Sequence, residues 1–318
     1  MSASVQQAPT QTVHNPAQLA IAYSVCRSIA RSNAKNFYYA FHLLPRRKRE
    51  ALCAVYAFMR RCDDIADDTA LSIHERRLKL ADWLDAFHLV MLGNSSDEPV
   101  LIALADAQRS FNIDPNLLDQ LAYGTAMDLQ VEDATAGEVS KSIPGAALAP
   151  QYKTINDLYQ YCYQVASVVG LVCIRIFGYR SPAAEPLAER CGLAFQLTNI
   201  IRDVKEDAEM GRVYLPQEDL EKFGLEAAEL IGKPDLERFR PLLEMEADRA
   251  RVFYHAAEDL VPLIDEDSQA ALWVLVTIYR LLLEKIATRK YDVFQRKISL
   301  TVWEKLKVLG HGFVRRLA

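Results

Sequence analysis

Several kinds of chemistry have no footing in this chain. Its six cysteines (Cys26, Cys53, Cys62, Cys162, Cys173 and Cys191) never form a C-x-x-C pair and mostly sit in apolar helical contexts. They read as reduced core thiols, not as a zinc or disulfide framework. His42, His74, His88, His255 and His311 show no metal-ligand spacing and no nucleophile partner, so a catalytic triad is not indicated. A dinucleotide-binding glycine fingerprint is missing. Positive charge is in deficit: 37 Lys and Arg stand against 42 Asp and Glu, interspersed, for a formal net charge of -5. That argues against a nucleic-acid partner. Alternating runs bounded by hairpin turns are also lacking, which excludes a β architecture. The longest apolar stretches, around Val165 to Phe177 and Ala270 to Leu283, are interrupted by Arg175 and Arg280. They fall short of the roughly 18 to 20 apolar residues that span a bilayer, so no transmembrane segment is expected. The polar start MSASVQQAPTQTVHNP has no apolar core and reads as a loose tail over 1–16.

What remains is helix. Apolar residues make up 51% of 318 residues, enough for a large core. Helical spacing covers 17–40, a segment opened by Pro45 that runs through LCAVYAFMRRCDDIAD, and about 72–92. Glu98-Pro99 and Asp114-Pro115 open two more, the latter carrying Ala122 to Glu132. Two long apolar helices follow over 154–177 and 183–209, closed by Gly178 and Gly211. Further helices lie near 217–223, 235–265, 268–289 and 299–316. No repeat or low-complexity linker divides the chain, so one all-α domain over 17–318 is the simplest account. A break near 137–150, where Gly137, Pro144, Gly145 and Pro150 cluster, is the two-domain alternative. Helices as apolar as VASVVGLVCIRIF belong at the centre of a bundle.

Against that background two acidic clusters stand out. In RRCDDIADD, Asp63 and Asp67 are four apart on one helix face, and Asp64 and Asp68 form a parallel pair turned by about 100°. Like charges so placed repel by roughly 0.2–0.5 kcal/mol per exposed pair, and a cation removes the repulsion. Tyr56 and Arg60 precede them at the same spacing. In the second cluster, Gln196, Asn199, Asp203 and Asp207 share a face, while Leu197, Ile200 and Ile201 take the apolar side. Hard oxygens of this kind suit Mg²⁺ shared with substrate phosphates. The structural alternatives are a solvated helix end for the first cluster and core capping by Gln196 and Asn199 for the second. Arg202 and Arg212 are available for phosphate or for pairing. In GRVYLP, Tyr214 either lines a pocket or packs.

The segments YAFMRRCDDIADD (56–68), YCYQVASVVG (161–170) and FQLTNIIRDVKEDAEMGRVYLP (195–216) resemble the squalene/phytoene synthase family, the head-to-head prenyl synthases of the isoprenoid-synthase fold. The resemblance runs from about residue 20 to 300, and its last motif is long and specific. It implies an all-α helical bundle around a central cavity, with Asp63 and Asp67 facing Asp203 and Asp207 across it. Asn199 joins the second metal site, and Tyr56, Arg60 and Gln196 border the first diphosphate and the reacting carbons. Tyr161 corresponds to a tyrosine near the rearrangement region and Phe37 to an aromatic at the mouth. Arg212, Tyr214, Tyr279 and Arg280 match later pocket elements. Many members carry serine where this chain has Asn36, whose amide can still donate to phosphate; Lys35 is a further cation beside it.

The implied reaction is a Mg²⁺-dependent head-to-head condensation of two allylic diphosphates through a cyclopropyl diphosphate, using two or three ions, with Mn²⁺ as a substitute. Diphosphate itself can take the proton. The segments NFYYAFHLLP and RKYDVFQRKISL lean toward farnesyl diphosphate as substrate and presqualene diphosphate or squalene as product, and NADPH enters only for squalene. Phytoene from geranylgeranyl diphosphate, or dehydrosqualene, is the alternative. A head-to-tail prenyltransferase and a non-catalytic helical scaffold are the rivals. The expected location is cytoplasmic, with peripheral contact at the inner face of the membrane through WEKLKVLGHGFVRRLA, whose apolar residues mix with Lys305, Lys307, Arg315 and Arg316; a plain packed C-terminal helix explains that segment equally well.

Overall fold

The computed structural model describes residues 15–34, 37–124 and 148–317, and among these every regular element is helical apart from one isolated bridge between Tyr179 and Ile264. In chain order the helices are α1 (Pro16–Asn33), α2 (Phe37–Phe41), α3 (Arg46–Ala66), α4 (Ile73–Met91), α5 (Pro99–Ser110), α6 (115–124), α7 (Ile155–Cys162), α8 (Val168–Phe177), α9 (Ala184–Glu209), α10 (Gln217–Lys222), α11 (Leu236–Leu260), α12 (Glu266–Thr288) and α13 (Val302–Leu317). Starts are set by local chemistry. Ser72 with Glu75 and Thr154 with Asp157 form reciprocal capping boxes, and Pro16 and Pro99 occupy first turns. The residues proposed as a domain break, 137–150, lie largely outside the described residues, as do the tail over 1–14, Lys35, Asn36 and the stretch from 125 to Glu132. Helices from both sides of that break line one cavity, so the chain forms one all-α bundle.

Two elements depart from the sequence expectation. The helix expected over 17–40 stops at Asn33, whose side-chain amide donates to the Ile29 carbonyl and offers the backbone an alternative to another turn. The apolar helix expected over 154–177 is continuous but widens to a π turn at Tyr163–Ser167. That whole segment, Ile155–Phe177, is long and apolar enough by length and composition to cross a membrane, which corrects the expectation that no stretch qualifies. Half of it is already buried within the bundle, where it packs against α9 and lines the cavity.

The centre is α9, surrounded by α8, α11, α12 and the π turn. Glycines let α8 and α9 touch closely: a Cβ on Gly192 would come 2.6 Å from the Ala166 carbonyl oxygen, and one on Gly170 would come 2.7 Å from that of Ala188. Those two pairings run in opposite directions along the chain, so α8 and α9 are antiparallel. At the other side, Lys48 at the start of α3 donates to the Phe177 carbonyl at the end of α8 (2.7 Å), to Asp267 Oδ1 (2.6 Å) and to Ser268 Oγ (3.1 Å) at the start of α12. All three ammonium protons therefore have acceptors, and α3 and α12 run parallel to α9. All six cysteines are unpaired thiols.

Lys48 pins three helix ends at one place. Replacing it with alanine is expected to lower unfolding free energy by about 1–3 kcal/mol, because a carbonyl and a hydroxyl lose a charged donor. Urea unfolding measures this; an unchanged midpoint would show that the pin carries no stability.

Candidate active site

The helices enclose an elongated cavity of about 230 Å³ whose lining is mostly apolar. Its far end is built where Lys48 ties the helices together: Phe177 and Ile174 of α8, Ala188 of α9, Leu260 of α11 and Leu272 of α12. Going toward the C-termini of α3, α9 and α12, the lining changes to Tyr56 and Met59, then Gln196 and Asn199, then Tyr279. Asp63 lies one turn beyond Met59, and Asp203 one turn beyond Asn199, about 6 Å along each axis at 1.5 Å per residue. Parallel helices thus carry both acidic motifs out of the same end of the cavity. A direct bridge spans them: Arg212 Nη2 lies 3.5 Å from Asp67 Oδ1, while the Arg212 backbone N–H donates to the Asp207 carbonyl at 2.8 Å. Gly211, at φ 82°, supplies the left-handed turn that returns Arg212 to this position.

On α3 the motif is less regular than its spacing predicts. The helix ends at Ala66, and Asp67 is its cap, with its N–H still bonded to the Asp63 carbonyl. Asp68 lies past the helix and accepts from the Ala70 N–H, so the parallel Asp64–Asp68 pair does not form. Asp64 is instead held by Arg60 at 2.5 Å. Arg60 Nε is buried and has no hydrogen-bond partner, leaving a donor beside the mouth. Burial raises the pKa of the Tyr56 phenol, Arg60 pulls it down, and Asp63 and Asp64 push it up again, for a net rise.

On α9 two carboxylates behave oppositely. Burial pushes the Asp203 carboxyl up, but hydrogen bonds and charge from Arg202 and then Lys297, at 3.0 Å, outweigh it and hold it below the ordinary value. Asp207 is pushed up to about 7, chiefly by burial and next by the charge of Asp203, with Arg212 and Lys297 opposing. Burial and the Asp203 charge together outweigh the two cations beside it. Asn199 Oδ1 is buried among these groups with no hydrogen-bond partner. Among the described residues no three His, Cys, Asp or Glu side chains converge into a closed cage. The open arrangement, paired carboxylates plus an unused amide oxygen, fits Mg²⁺, which keeps waters and takes phosphate oxygens.

The aromatic residues divide between two places. Phe195 stacks on Tyr279 with centroids 4.3 Å apart, and Phe37 lies 5.7 Å from Tyr279, so these rings form one wall near the mouth. Tyr161 is not among the cavity-lining residues. It is buried and stacks on Tyr214 (5.2 Å) and Tyr152 (5.3 Å), just behind the GRVYLP turn. Tyr214 packs there too and does not line the cavity. Arg280 faces outward, half-exposed and paired with Glu258; the following residue on a helix turns by about 100°, so Tyr279 reaches the cavity and Arg280 does not. Asn36 lies outside the described residues. Lys297, which grips Asp203 and Glu206, escaped the sequence reading. It comes from a loop far along the chain, and no local spacing marks it.

The chain and its fold have known counterparts. A family model described as squalene/phytoene synthase matches residues 30–304. A phytoene synthase of Arthrospira platensis is 32% identical over 320 residues, covering 96% of each chain. A phytoene synthase of Mycobacterium tuberculosis is 36% identical over 296 residues, covering 90% of this chain and 89% of that one. Among solved structures, a dehydrosqualene synthase in complex with ligand superimposes with a TM-score of 0.80 at 30% identity, over 94% of this chain and 97% of that one.

The raised pKa of Asp207 has a definite sign. A carboxyl whose folded pKa lies above its unfolded value stabilises the fold fully below about pH 4, and that stability is lost as pH rises through 7. A cation favours the ionised form. Magnesium is therefore expected to raise the melting temperature little at pH 5 and clearly at pH 8. Glu246, also pushed up to about 7 by burial, titrates in the same range. The difference between wild type and Asp207→Asn in differential scanning fluorimetry isolates the Asp207 share. Equal magnesium shifts at both pH values, or in both proteins, would contradict the assignment.

Proposed function

Because the chain belongs to the squalene/phytoene synthase family of head-to-head prenyltransferases, we propose that it joins two molecules of geranylgeranyl diphosphate into phytoene through a cyclopropyl diphosphate. The observation that carries this reading is the placement of both acidic motifs at one end of a single apolar cavity, bridged by Arg212 and Asp67. Relatives named phytoene synthase, similar over nearly the whole chain, favour phytoene over the squalene or presqualene product toward which two sequence segments lean. The likeness to a dehydrosqualene synthase structure supports a second reading, farnesyl diphosphate to dehydrosqualene.

In this reading Asp63, Asp67, Asn199, Asp203 and Asp207 hold the magnesium ions. When bound, those ions supply Lewis-acid stabilisation of the departing diphosphate. The Arg60 Nε proton, which lacks an acceptor, and the Arg212 guanidinium donate to diphosphate oxygens in this reading. Gln196 orients the head of one substrate at the polar end of the lining. The isoprenoid tails lie along the apolar walls toward Phe177 and Leu272, where water is excluded and a cation is not captured as an alcohol. The faces of Phe37, Tyr56 and Tyr279 stabilise passing positive charge by about 0.5–2 kcal/mol per contact. Tyr161 acts indirectly, fixing Tyr214 and hence the turn that presents Arg212. Bond making balances without a redox partner: each of two ionisations releases one diphosphate, the C1 carbons join, and two protons leave. NADPH belongs only to a squalene product.

Purified protein given geranylgeranyl or farnesyl diphosphate with Mg²⁺, with and without NADPH, tests this. A C40 hydrocarbon with three conjugated double bonds at its centre, formed from geranylgeranyl diphosphate and independent of NADPH, is expected. A C30 product with geranylgeranyl diphosphate left unused would favour the second reading, and no condensation of either would contradict both. Asp203→Asn is expected to lower kcat by about 10²–10³ with circular dichroism unchanged; near-normal turnover would remove Asp203 from the metal assignment.

A further inference from the structure

The connection between α12 and α13, residues 289–301, is fastened to α9 from both sides. Lys205 of α9 donates to the Phe294 carbonyl at 2.9 Å. In return, Lys297 of the connection reaches Asp203 Oδ1 at 3.0 Å and also bonds Glu206. Burial fixes the backbone here: Phe294 and Ile298 are both buried, and Phe294 packs edge-on against Phe239 of α11 with centroids 5.6 Å apart. Between these two anchors Gln295, Arg296 and Lys297 are exposed. Lys297 is thus a flexible four-carbon arm on a fixed base. Its charge reaches Asp207 as well.

The oxygens of Asp203 are heavily used. Its Oδ1 accepts from Arg202 Nε at 2.8 Å and from Lys297 Nζ, and its Oδ2 accepts from Arg202 Nη2. A carboxylate oxygen has about two lone-pair sites, so Oδ1 is filled. A divalent ion that takes this oxygen does so against one of the two cations. Arg202 is the harder to move, because it grips both oxygens as a fork and its side chain is only 16% exposed. Lys297 is 47% exposed, touches a single Asp203 oxygen and has further protons to direct elsewhere. Glu206 gives it a place to go. It lies three residues beyond Asp203 on the same side of α9, is half-exposed and already holds the ammonium.

We propose that Lys297 is a tethered cation exchanged between Asp203 and Glu206: it bonds both carboxylates until a metal ion takes Asp203, and Glu206 then retains it alone. Glu206 is an acceptor for the lysine and no ligand of the ion. The competition keeps this motif from gripping a bare ion tightly. The exchange rests on the reading of Asp203 as a magnesium ligand. It is tested by Mn²⁺ binding to the full chain without substrate, read from the free-ion EPR signal; the share of binding that disappears in Asp203→Asn belongs to this motif. K297M keeps the stem and removes the charge. It is expected to bind that share about tenfold tighter or more, because a unit charge about 4 Å from a divalent ion opposes it to that degree. E206Q leaves the lysine to Asp203 and is expected to bind about threefold weaker. The two changes together are expected to match K297M. A purely structural lysine gives no such opposition of sign, and circular dichroism follows the fold. K297M that binds no tighter than wild type overturns the proposal. So does E206Q that weakens binding equally beside K297M, which would make Glu206 a ligand. E206Q stands by itself if K297M folds poorly, and unchanged or tighter binding there overturns the proposal too. Adding a prenyl thiodiphosphate separates the two failures. If the wild type then takes up no Mn²⁺ beyond Asp203→Asn, the magnesium reading itself falls; if it does and K297M is unaltered without substrate, only the exchange falls.

Discussion

Everything in this molecule turns on holding carboxylates at the edge of an apolar chamber. Burial disfavours their charge, and neighbouring carboxylates disfavour it further. The protein supplies only part of the compensation. Arg202 and Lys297 satisfy Asp203, Arg60 satisfies Asp64, and Arg212 reaches Asp67. Asp207 remains with a pKa pushed up to about 7, and Asn199 Oδ1 remains without a partner. In the proposed function, a cation-bound diphosphate meets these two groups.

The rest of the bundle keeps that cluster in register with the chamber. Parallel α3, α9 and α12 bring their C-terminal halves to one end, while Lys48 closes the other. Gly170 and Gly192, both lining residues, let α8 and α9 approach closely beside the chamber. The π turn at Tyr163–Ser167 places Val165 and Ala166 in that lining. A separate buried group, Arg249 with Asp219 and Glu246, ties α10 to α11 away from the chamber and belongs to the frame.

Much of this was readable from residue spacing. The four-residue steps through Gln196, Asn199, Asp203 and Asp207 put them on one face, and the helix keeps that face because Leu197, Ile200 and Ile201 bury the other. Asp63 follows from Tyr56 in the same way. Asp68 did not, because helical spacing says nothing of where the helix ends, and the chain leaves α3 at Ala66. The resemblance put Arg280 with Tyr279 in a pocket element, whereas one step along the helix turns Arg280 toward Glu258. Tyr161 lies in a helix whose winding changes to a π turn at the next residue, and its contacts are with Tyr152 and Tyr214, which spacing cannot pair. Lys48, Lys297 and the Arg212–Asp67 bridge are long-range contacts created by the fold. The family resemblance gave the chamber and the facing motifs, while these pins became visible only once the helices were assembled.

The central claim is that the two acidic motifs act on one bound diphosphate. The most direct measurement is a double-mutant cycle on the affinity of a non-hydrolysable prenyl thiodiphosphate in the presence of Mg²⁺, using Asp63→Asn, Asp203→Asn and the pair together. A shared site predicts strong non-additivity, with a coupling of about 1–3 kcal/mol. Losses that simply add would mean that the two motifs serve separate sites, and the account would fail.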